Sequence, residues 1–177
     1  MIWIIGLVGG ALLFLLWVLL ATRAPQTDAL LPEELHGATL WQSEKSLVRK
    51  KPVHIRGRPD EVWIKNGRRV IVETKSRAGG VFEGDRMQLA AYAYLMRNDG
   101  GPPLAPHGYI RFTGGEQSFA KVKLRSDQDV IDAHRRLALV KAGKEKPKTS
   151  GQAALCRGCG HIERCPSPRV RAASQTA

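Results

Sequence analysis

Cysteine and acidic residues are both scarce in this chain. Its 177 residues include three cysteines, and 16 Asp and Glu stand against 28 Lys and Arg, so the net charge is +12. Three cysteines exclude a framework of disulfides and leave room for one metal or redox site. The shortage of acidic residues is typical of proteins that bind polyanions such as nucleic acids.

Charge is absent altogether from the segment Met1 to Thr22. This segment is apolar on every side, and as a helix it reaches roughly 33 Å, enough to span the hydrocarbon core of a bilayer. A cleaved signal peptide is the alternative, but no basic region precedes the apolar run and no clean A-x-A site follows it. We therefore predict a single-pass transmembrane helix over residues 1–22. Because Arg23 begins a basic remainder, the positive-inside rule predicts a cytoplasmic carboxyl-terminal domain.

Composition divides the rest of the chain into three parts. We predict a linker over residues 23–37, a compact core over residues 38–142, and a basic segment with the cysteines over residues 143–177. Without the apolar segment about 150 residues remain, a length that holds a hydrophobic core without disulfides.

The dipeptide Asn66-Gly67 lies between two β-rich runs. It predicts a hairpin with a type I′ turn, because that turn requires positive φ at both central residues. With these two residues as the loop, Asp60 lies opposite Glu73, their Cβ atoms on the order of 5 Å apart. Lys75 shares their sheet face, because side chains alternate with a period of two.

Two carboxylates held this close repel each other, so such a pair usually shares a proton or a cation. Hard oxygen ligands suit Mg²⁺ or Mn²⁺. An ammonium beside the metal orients or deprotonates a water and offsets charge that develops on a phosphate. The alternative is that Asp60, Glu73 and Lys75 are solvated charges at the end of a hairpin, and register alone favours this alternative.

A second pattern lies downstream, where the composition of residues 85–97 predicts a helix from Asp85 to Arg97. Gln88 and Tyr92 are four residues apart and therefore share one face of it. Periodicity also predicts strands over residues 38–48, 107–112 and 117–124, and an amphipathic helix from Asp127 to about Val140.

These patterns form an ordered set: Gly57-Arg-Pro-Asp60, Val70-Ile-Val-Glu73-Thr-Lys75, Gln88-Leu-Ala-Ala-Tyr92, Gly108-Tyr-Ile-Arg-Phe112 and the terminal cysteines. The set resembles the PD-(D/E)XK nuclease superfamily, and especially its RecB-like branch, which includes the CRISPR-associated exonucleases. The resemblance runs from about Trp41 to Cys165. It implies a restriction-endonuclease-like α/β fold, in which helices flank a mixed β-sheet core, here preceded by the transmembrane helix.

The resemblance also implies roles for the residues that match. Asp60 and Glu73 ligate the divalent cation, Mg²⁺ or Mn²⁺, helped by the Thr74 carbonyl, and Lys75 acts on the attacking water. Glu44 falls where this branch often has an upstream acidic residue. The implied activity is metal-dependent hydrolysis of DNA phosphodiester bonds by an exonuclease of the RecB-like type.

Further residues are implied in DNA contact or in organising the site. Gln88 and Tyr92 organise the site or touch DNA, although packing of a helix against the sheet accounts for Tyr92 equally well. Arg77 and Arg111 are expected to contact the nucleic acid.

The cysteine cluster has the spacing Cys156-x2-Cys159-x5-Cys165, which points to zinc or iron–sulfur ligation. In the CRISPR-associated relatives, three such cysteines join a distant fourth around a [4Fe-4S] cluster, whereas this chain has no fourth cysteine. A zinc site completed by His161, an iron–sulfur cluster with another ligand, and a vestigial site all remain open. His161 is equally well explained as a solvated loop residue.

Two other classes of protein fit the same features. One is a non-catalytic, membrane-tethered module that binds nucleic acid with the same fold and basic surface. The other is a module that docks a protein partner through a zinc knob and a tail. The first alternative predicts a damaged acidic trio, whereas Asp60, Glu73 and Lys75 are all present. We therefore predict a metal-dependent deoxyribonuclease whose partners are DNA and the membrane.

Overall fold

The computed structural model of the protein describes residues 29–148 and, beyond them, residues 156, 159, 160, 162 and 165. The chain divides into two compact units, Met1–Ile131 and Asp132–Ala177. Within the described residues, no helix is long and apolar enough to cross a membrane. The anchor predicted over residues 1–22 and His161 lie outside the described residues, so the membrane location stays a prediction.

A five-stranded mixed sheet forms the centre of the first unit. Its strands are β1 (Thr39–Ser43), β4 (Glu61–Lys65), β5 (Arg68–Lys75), β6 (His107–Phe112) and β7 (Ser118–Lys123), side by side in that order. β5 and β6 run parallel, and the other neighbours are antiparallel. Two short strands, β2 (Leu47–Arg49) and β3 (Ile55–Gly57), form a separate antiparallel pair.

The β4–β5 hairpin has the predicted turn and register. Asn66 and Gly67 have φ values of 50° and 71°, as a type I′ turn requires. The two strands pair without a shift out to Glu61. One further step along the same register brings Asp60, which immediately precedes β4, opposite Glu73.

The single strand predicted over residues 38–48 is wrong, since β1 and β2 belong to different sheets. The chain leaves the central sheet at Glu44, whose φ of 50° is incompatible with an extended strand. The backbone N–H of Glu44 donates to the carbonyls of Pro59 and Asp60 at 3.1 and 3.0 Å. The end of β1 is therefore held beside the loop that carries Asp60.

Two α-helices complete the architecture of the described residues: α1 (Glu83–Met96) and α2 (Asp127–Lys141). α1 connects the parallel strands β5 and β6, the usual arrangement of a β-α-β crossover. It packs its apolar face on the sheet, where its core neighbours include Val62, Ile71 and Ile110, and the beginning of α2 adds Val130 and Ile131. The mixed sheet flanked by helices is the predicted architecture and is consistent with a restriction-endonuclease-like fold.

A smaller core covers the other face of the sheet. Trp63, Val70, Val72 and Tyr109 pack there with Leu35 from a 3-10 turn, Glu33–Leu35. Because residues alternate along β5, Ile71, Glu73 and Lys75 point to the face of α1. The predicted acidic trio therefore lies on the side of the sheet that the helix covers.

Candidate active site

Glu73 and Lys75 lie at the carboxyl end of β5, where the sheet face passes from the core to solvent. The Glu73 side chain is only 5% exposed and that of Lys75 is 19% exposed. Lys75 Nζ donates to Glu73 Oε1 at 2.9 Å. A buried carboxylate with an ammonium at its side is therefore built into the edge of the core.

Asp60 is fastened to the same strand from the neighbouring hairpin arm. Its Oδ2 accepts a hydrogen bond from the backbone N–H of Thr74 at 2.8 Å. Thr74 lies between Glu73 and Lys75, so this bond fixes the Asp60 carboxylate beside both. The structure therefore brings the three predicted residues together, as the register implied.

Helix α1 adds the amide of Gln88 to this group. Gln88 Oε1 accepts from Lys75 Nζ at 2.7 Å, while Gln88 Nε2 donates to Glu73 Oε1 at 2.6 Å. The same Nε2 also donates to the Tyr92 hydroxyl at 2.8 Å. Gln88 and Tyr92 therefore face the trio from one side of the helix. Side-chain hydrogen bonds join them to Glu73 and Lys75 in one cluster, and Asp60 is tied to it through the Thr74 backbone.

Burial and neighbouring charge raise the pKa of two acidic groups in the cluster, the Glu73 carboxyl and the Tyr92 phenol. Burial raises the pKa of the Glu73 carboxyl, and the negative charge of Asp60 adds to the rise, against the opposing hydrogen bond from Lys75. Burial also raises the pKa of Tyr92, and the charges of Glu73 and Asp60 act in the same sense. The phenol therefore stays protonated at neutral pH, and ionisation of Glu73 is less favourable than that of an exposed glutamate.

One oxygen of the buried carboxylate has no partner. Glu73 Oε2 is buried and accepts no hydrogen bond of ordinary geometry from any described residue. Leaving such an atom unpaired costs about 1–3 kcal/mol, and a divalent cation would satisfy it. Asp60 offers a second carboxylate at the same place, so the donor set is hard oxygen and fits Mg²⁺ or Mn²⁺.

Among the described residues, this pair is not part of a larger metal cluster. Within the residues that the structure describes, no group of three or more His, Cys, Asp or Glu side chains is placed to hold a metal ion. Glu44, the upstream acidic residue of the sequence comparison, instead pairs with Arg58 at 2.8 Å, and both side chains are largely exposed. Two protein carboxylates leave coordination positions for water and phosphate, which is typical of Mg²⁺ sites in phosphoryl chemistry.

Gly57 makes room for the tyrosine of the cluster. A Cβ atom at Gly57 would lie 2.9 Å from Tyr92 Cε1 and 3.1 Å from Leu95 Cδ1. This glycine ends β3, so the small two-stranded sheet meets α1 at the turn that carries Tyr92. Absence of a side chain, rather than backbone freedom, is what the position requires.

Gly57→Ala is therefore expected to lower the free energy of unfolding by about 1–3 kcal/mol, because the added methyl displaces the Tyr92 ring in a packed core. Urea unfolding measures the change. Gly84→Ala is the matched control, since a Cβ there meets nothing within 4 Å, and it should be neutral or slightly stabilising. Equal unfolding free energies for the two variants would contradict the close packing of Gly57 against the Tyr92 ring.

Arg77 lies at the rim of the cluster, in the loop between β5 and α1. Its Nη2 donates to the Gly80 carbonyl at 3.0 Å and pairs with the buried Asp85. Its guanidinium lies 4.7 Å from the centre of the Phe82 ring. These contacts hold the loop together, and the predicted contact of Arg77 with nucleic acid stays a prediction.

Sequence reasoning missed Asp85, which is 6% exposed and organises this rim. Its Oδ2 accepts the backbone N–H of Phe82, the N-cap residue of α1, at 2.8 Å. An acidic residue at the third position of a helix is the known signal for this kind of cap. The prediction started the helix at Asp85 itself, and therefore two residues too late to recognise the signal.

Arg111 lies away from the cluster, on the opposite face of the sheet. On β6 it pairs with Thr74, so its side chain belongs to the opposite sheet face from Glu73. Its Nη2 donates to Glu61 Oε1 at 2.5 Å and its Nε to Thr74 Oγ1 at 3.1 Å. With 11% of its side chain exposed, Arg111 serves the packing of that face, and its contact with nucleic acid stays a prediction.

The cysteines belong to the second unit and are free thiols. Cys156 is buried, Cys159 is exposed and Cys165 is half-buried. The backbone N–H of Cys159 donates to the Cys156 carbonyl at 3.1 Å, which places these two residues on one tight turn. Because His161 lies outside the described residues, a zinc or iron–sulfur site at the cysteines stays a prediction without support.

Comparison with known proteins identifies the family to which this chain is similar. The model of the PD-(D/E)XK nuclease superfamily matches residues 10–166. Among curated proteins, none matches the chain.

Two solved structures are similar at low identity. The protein designated SSO0001 is 21% identical, with a TM-score of 0.47, over 71% of this chain and 59% of its own. An inferred exonuclease from Eubacterium rectale is 17% identical, with a TM-score of 0.41, over 66% of this chain and 51% of its own. The chain thus spans 51–59% of the length of these two proteins.

Proposed function

The chain belongs to the PD-(D/E)XK nuclease superfamily, and we propose that it is a metal-dependent nuclease that hydrolyses DNA phosphodiester bonds as an exonuclease of the RecB-like type. The observation that carries this proposal is the unpaired, buried Oε2 of Glu73 beside the Asp60 carboxylate. The net charge of +12 supports a polyanionic substrate.

Asp60 and Glu73 are the residues that would hold Mg²⁺ or Mn²⁺. When bound, such a cation polarises the scissile phosphate and lowers the pKa of a water molecule. The protein's part is to keep both carboxylates in place before the cation arrives. The Thr74 N–H does this for Asp60, and the Lys75 and Gln88 hydrogen bonds do it for Glu73.

Lys75 is the residue that acts on the attacking water and on the charge that develops at the phosphate. The Lys75 side chain is 19% exposed, and two acceptors, Glu73 Oε1 and Gln88 Oε1, fix the position of its ammonium. A donor held in this way requires no reorganisation as negative charge develops in the transition state. The Gln88 amide oxygen orients the ammonium. The hydroxyl of the protonated Tyr92 accepts a hydrogen bond from the amide nitrogen of Gln88.

The test is cleavage by the full-length chain, purified in detergent, of linear, covalently closed circular and single-stranded DNA. We expect linear DNA to be degraded with Mg²⁺ or Mn²⁺ and to survive with EDTA, whereas closed circles resist because they offer no end. Lys75→Met keeps the length of the side chain without its charge and should lower the rate by about 10²–10³-fold.

The outcomes separate the parts of the proposal. Cleavage of circles as fast as linear DNA would contradict an exonuclease and leave an endonuclease. DNA binding without any metal-dependent cleavage would instead support the non-catalytic binding module.

A further inference from the structure

An exposed aromatic ring lies beside the loop between β5 and α1. Phe82 is 46% exposed although it directly precedes α1. Its ring lies beside the guanidinium of Arg77, two residues beyond Lys75 along the chain. The loop that leaves β5 after Lys75 therefore carries this ring close to the end of that strand.

Contacts with Arg77 and Asp85 hold Phe82 in place. The Arg77 guanidinium lies 4.7 Å from the ring centre, at the distance of a cation–π contact. The backbone N–H of Phe82 donates to the buried Asp85 carboxylate, which itself pairs with Arg77. An exposed ring that is anchored in this way offers a rigid surface for stacking instead of folding back onto the protein.

A cation follows Phe82 at the distance of one helical turn. The backbone N–H of Arg86 donates to the Phe82 carbonyl at 3.2 Å, which places Arg86 in the first turn after the N-cap residue Phe82. Arg86 is exposed and forms no ion pair with any residue that the structure describes. The rim arginine, Arg77, is already paired with Asp85.

An aromatic face with a free guanidinium one turn away matches the two parts of a nucleotide. We propose that Phe82 and Arg86 bind one unpaired nucleotide of the substrate strand beside the loop that leaves β5. The base stacks on the Phe82 ring, and its phosphate pairs with the Arg86 guanidinium. This inference rests on the proposed function and deepens it, since a base reaches the ring only where the strand is single or frayed.

Binding without cleavage tests the inference directly. Full-length Asp60→Asn protein in detergent is titrated into a labelled single-stranded oligonucleotide, and fluorescence anisotropy reports the affinity. Phe82→Ala in this background should weaken binding on the order of tenfold, the usual size of a lost base–aromatic stack. Phe82→Trp should bind at least as tightly as the parent, because it keeps a stacking face.

An oligonucleotide of the same length made of abasic sugars separates the two contacts. Phe82→Ala should leave its affinity unchanged, because it carries no base to stack. Arg86→Gln should weaken both oligonucleotides alike and reduce the slope of log K against log salt by about 0.7. Leu40→Ala removes another side chain that is 46% exposed, on β1, and should leave all affinities unchanged.

Two results would overturn the inference: unchanged affinity of Phe82→Ala for the base-bearing strand, or an equal loss for the abasic strand. The loss of binding in Phe82→Ala but not in Phe82→Trp supports it and also excludes a folding defect. Because these measurements use an inactivated protein, a failure of the wild type to cleave DNA would count against the proposed function alone.

Discussion

Replacing Asp60 by asparagine is expected to abolish metal-dependent cleavage while the protein stays folded. Asparagine has nearly the same shape and keeps an oxygen that can accept the Thr74 N–H, now 2.8 Å from Asp60 Oδ2. It lacks the negative charge that makes the pair with Glu73 a site for a divalent cation. Since a bound cation supplies several kcal/mol of transition-state stabilisation, the rate should fall by at least about 10²-fold.

Glu61→Gln is the matched control for this change. Glu61 is the next residue along the chain, yet it points to the other face of the sheet and pairs with Arg111. Titration calorimetry with Mn²⁺ should therefore show binding to wild type and Glu61→Gln but not to Asp60→Asn, and DNA cleavage should follow the same order. Equal Mn²⁺ binding by both variants would show that Asp60 is not a ligand of the metal ion.

Arg69→Ala is expected to have the largest effect on stability, about 3–5 kcal/mol. Only 2% of the Arg69 side chain is exposed. Its guanidinium donates to Asp99 Oδ2 at 2.7 Å and to the carbonyls of Pro102 and Met96 at 2.6 and 2.8 Å. These bonds tie β5 to the loop that follows α1, and alanine would leave all three acceptors without their donor.

Thermal and urea unfolding of the full-length chain measure this effect. A loss of this size should lower the melting temperature by about 10 °C or more for a domain of this length. Arg68→Ala is the control, because Arg68 is the adjacent arginine and is exposed, and it should change the unfolding free energy by less than about 0.5 kcal/mol. Similar losses of unfolding free energy in the two variants would show that the buried hydrogen bonds of Arg69 are not the cause of the destabilisation.

The same ion pair predicts how stability depends on pH. Burial alone would raise the pKa of Asp99, but the hydrogen bonds from Arg69 and the Gly101 N–H outweigh it, so the pKa lies below its ordinary value. A depressed carboxyl pKa stabilises the fold above the unfolded-state value near 3.9, and the contribution disappears as pH falls through the lower folded value. Asp99→Asn should therefore lose stability at neutral pH and show a weaker dependence on pH below about 4.

The hairpin and its register could be read from the sequence because both depend on neighbouring residues. Positive φ at Asn66 and Gly67 and the two-residue repeat of a strand suffice to place Asp60, Glu73 and Lys75 on one face. The single strand predicted across Glu44 failed for the complementary reason. Hydrogen bonds to the loop around Asp60, distant in sequence, help hold the positive φ that ends β1 there.

The sequence by itself thus determined which chemical groups this protein assembles: two carboxylates, an ammonium, and an amide and a phenol on one helix face. Only the tertiary structure decided how they meet. Gln88 and Glu73 are 15 positions apart, and their contact exists because α1 packs on the sheet. That packing buries Glu73, raises its pKa and leaves Oε2 without a partner, while Arg111 is drawn to the opposite face. Periodicity reports only which face a side chain joins, whereas burial and pairing depend on elements brought together from distant parts of the chain.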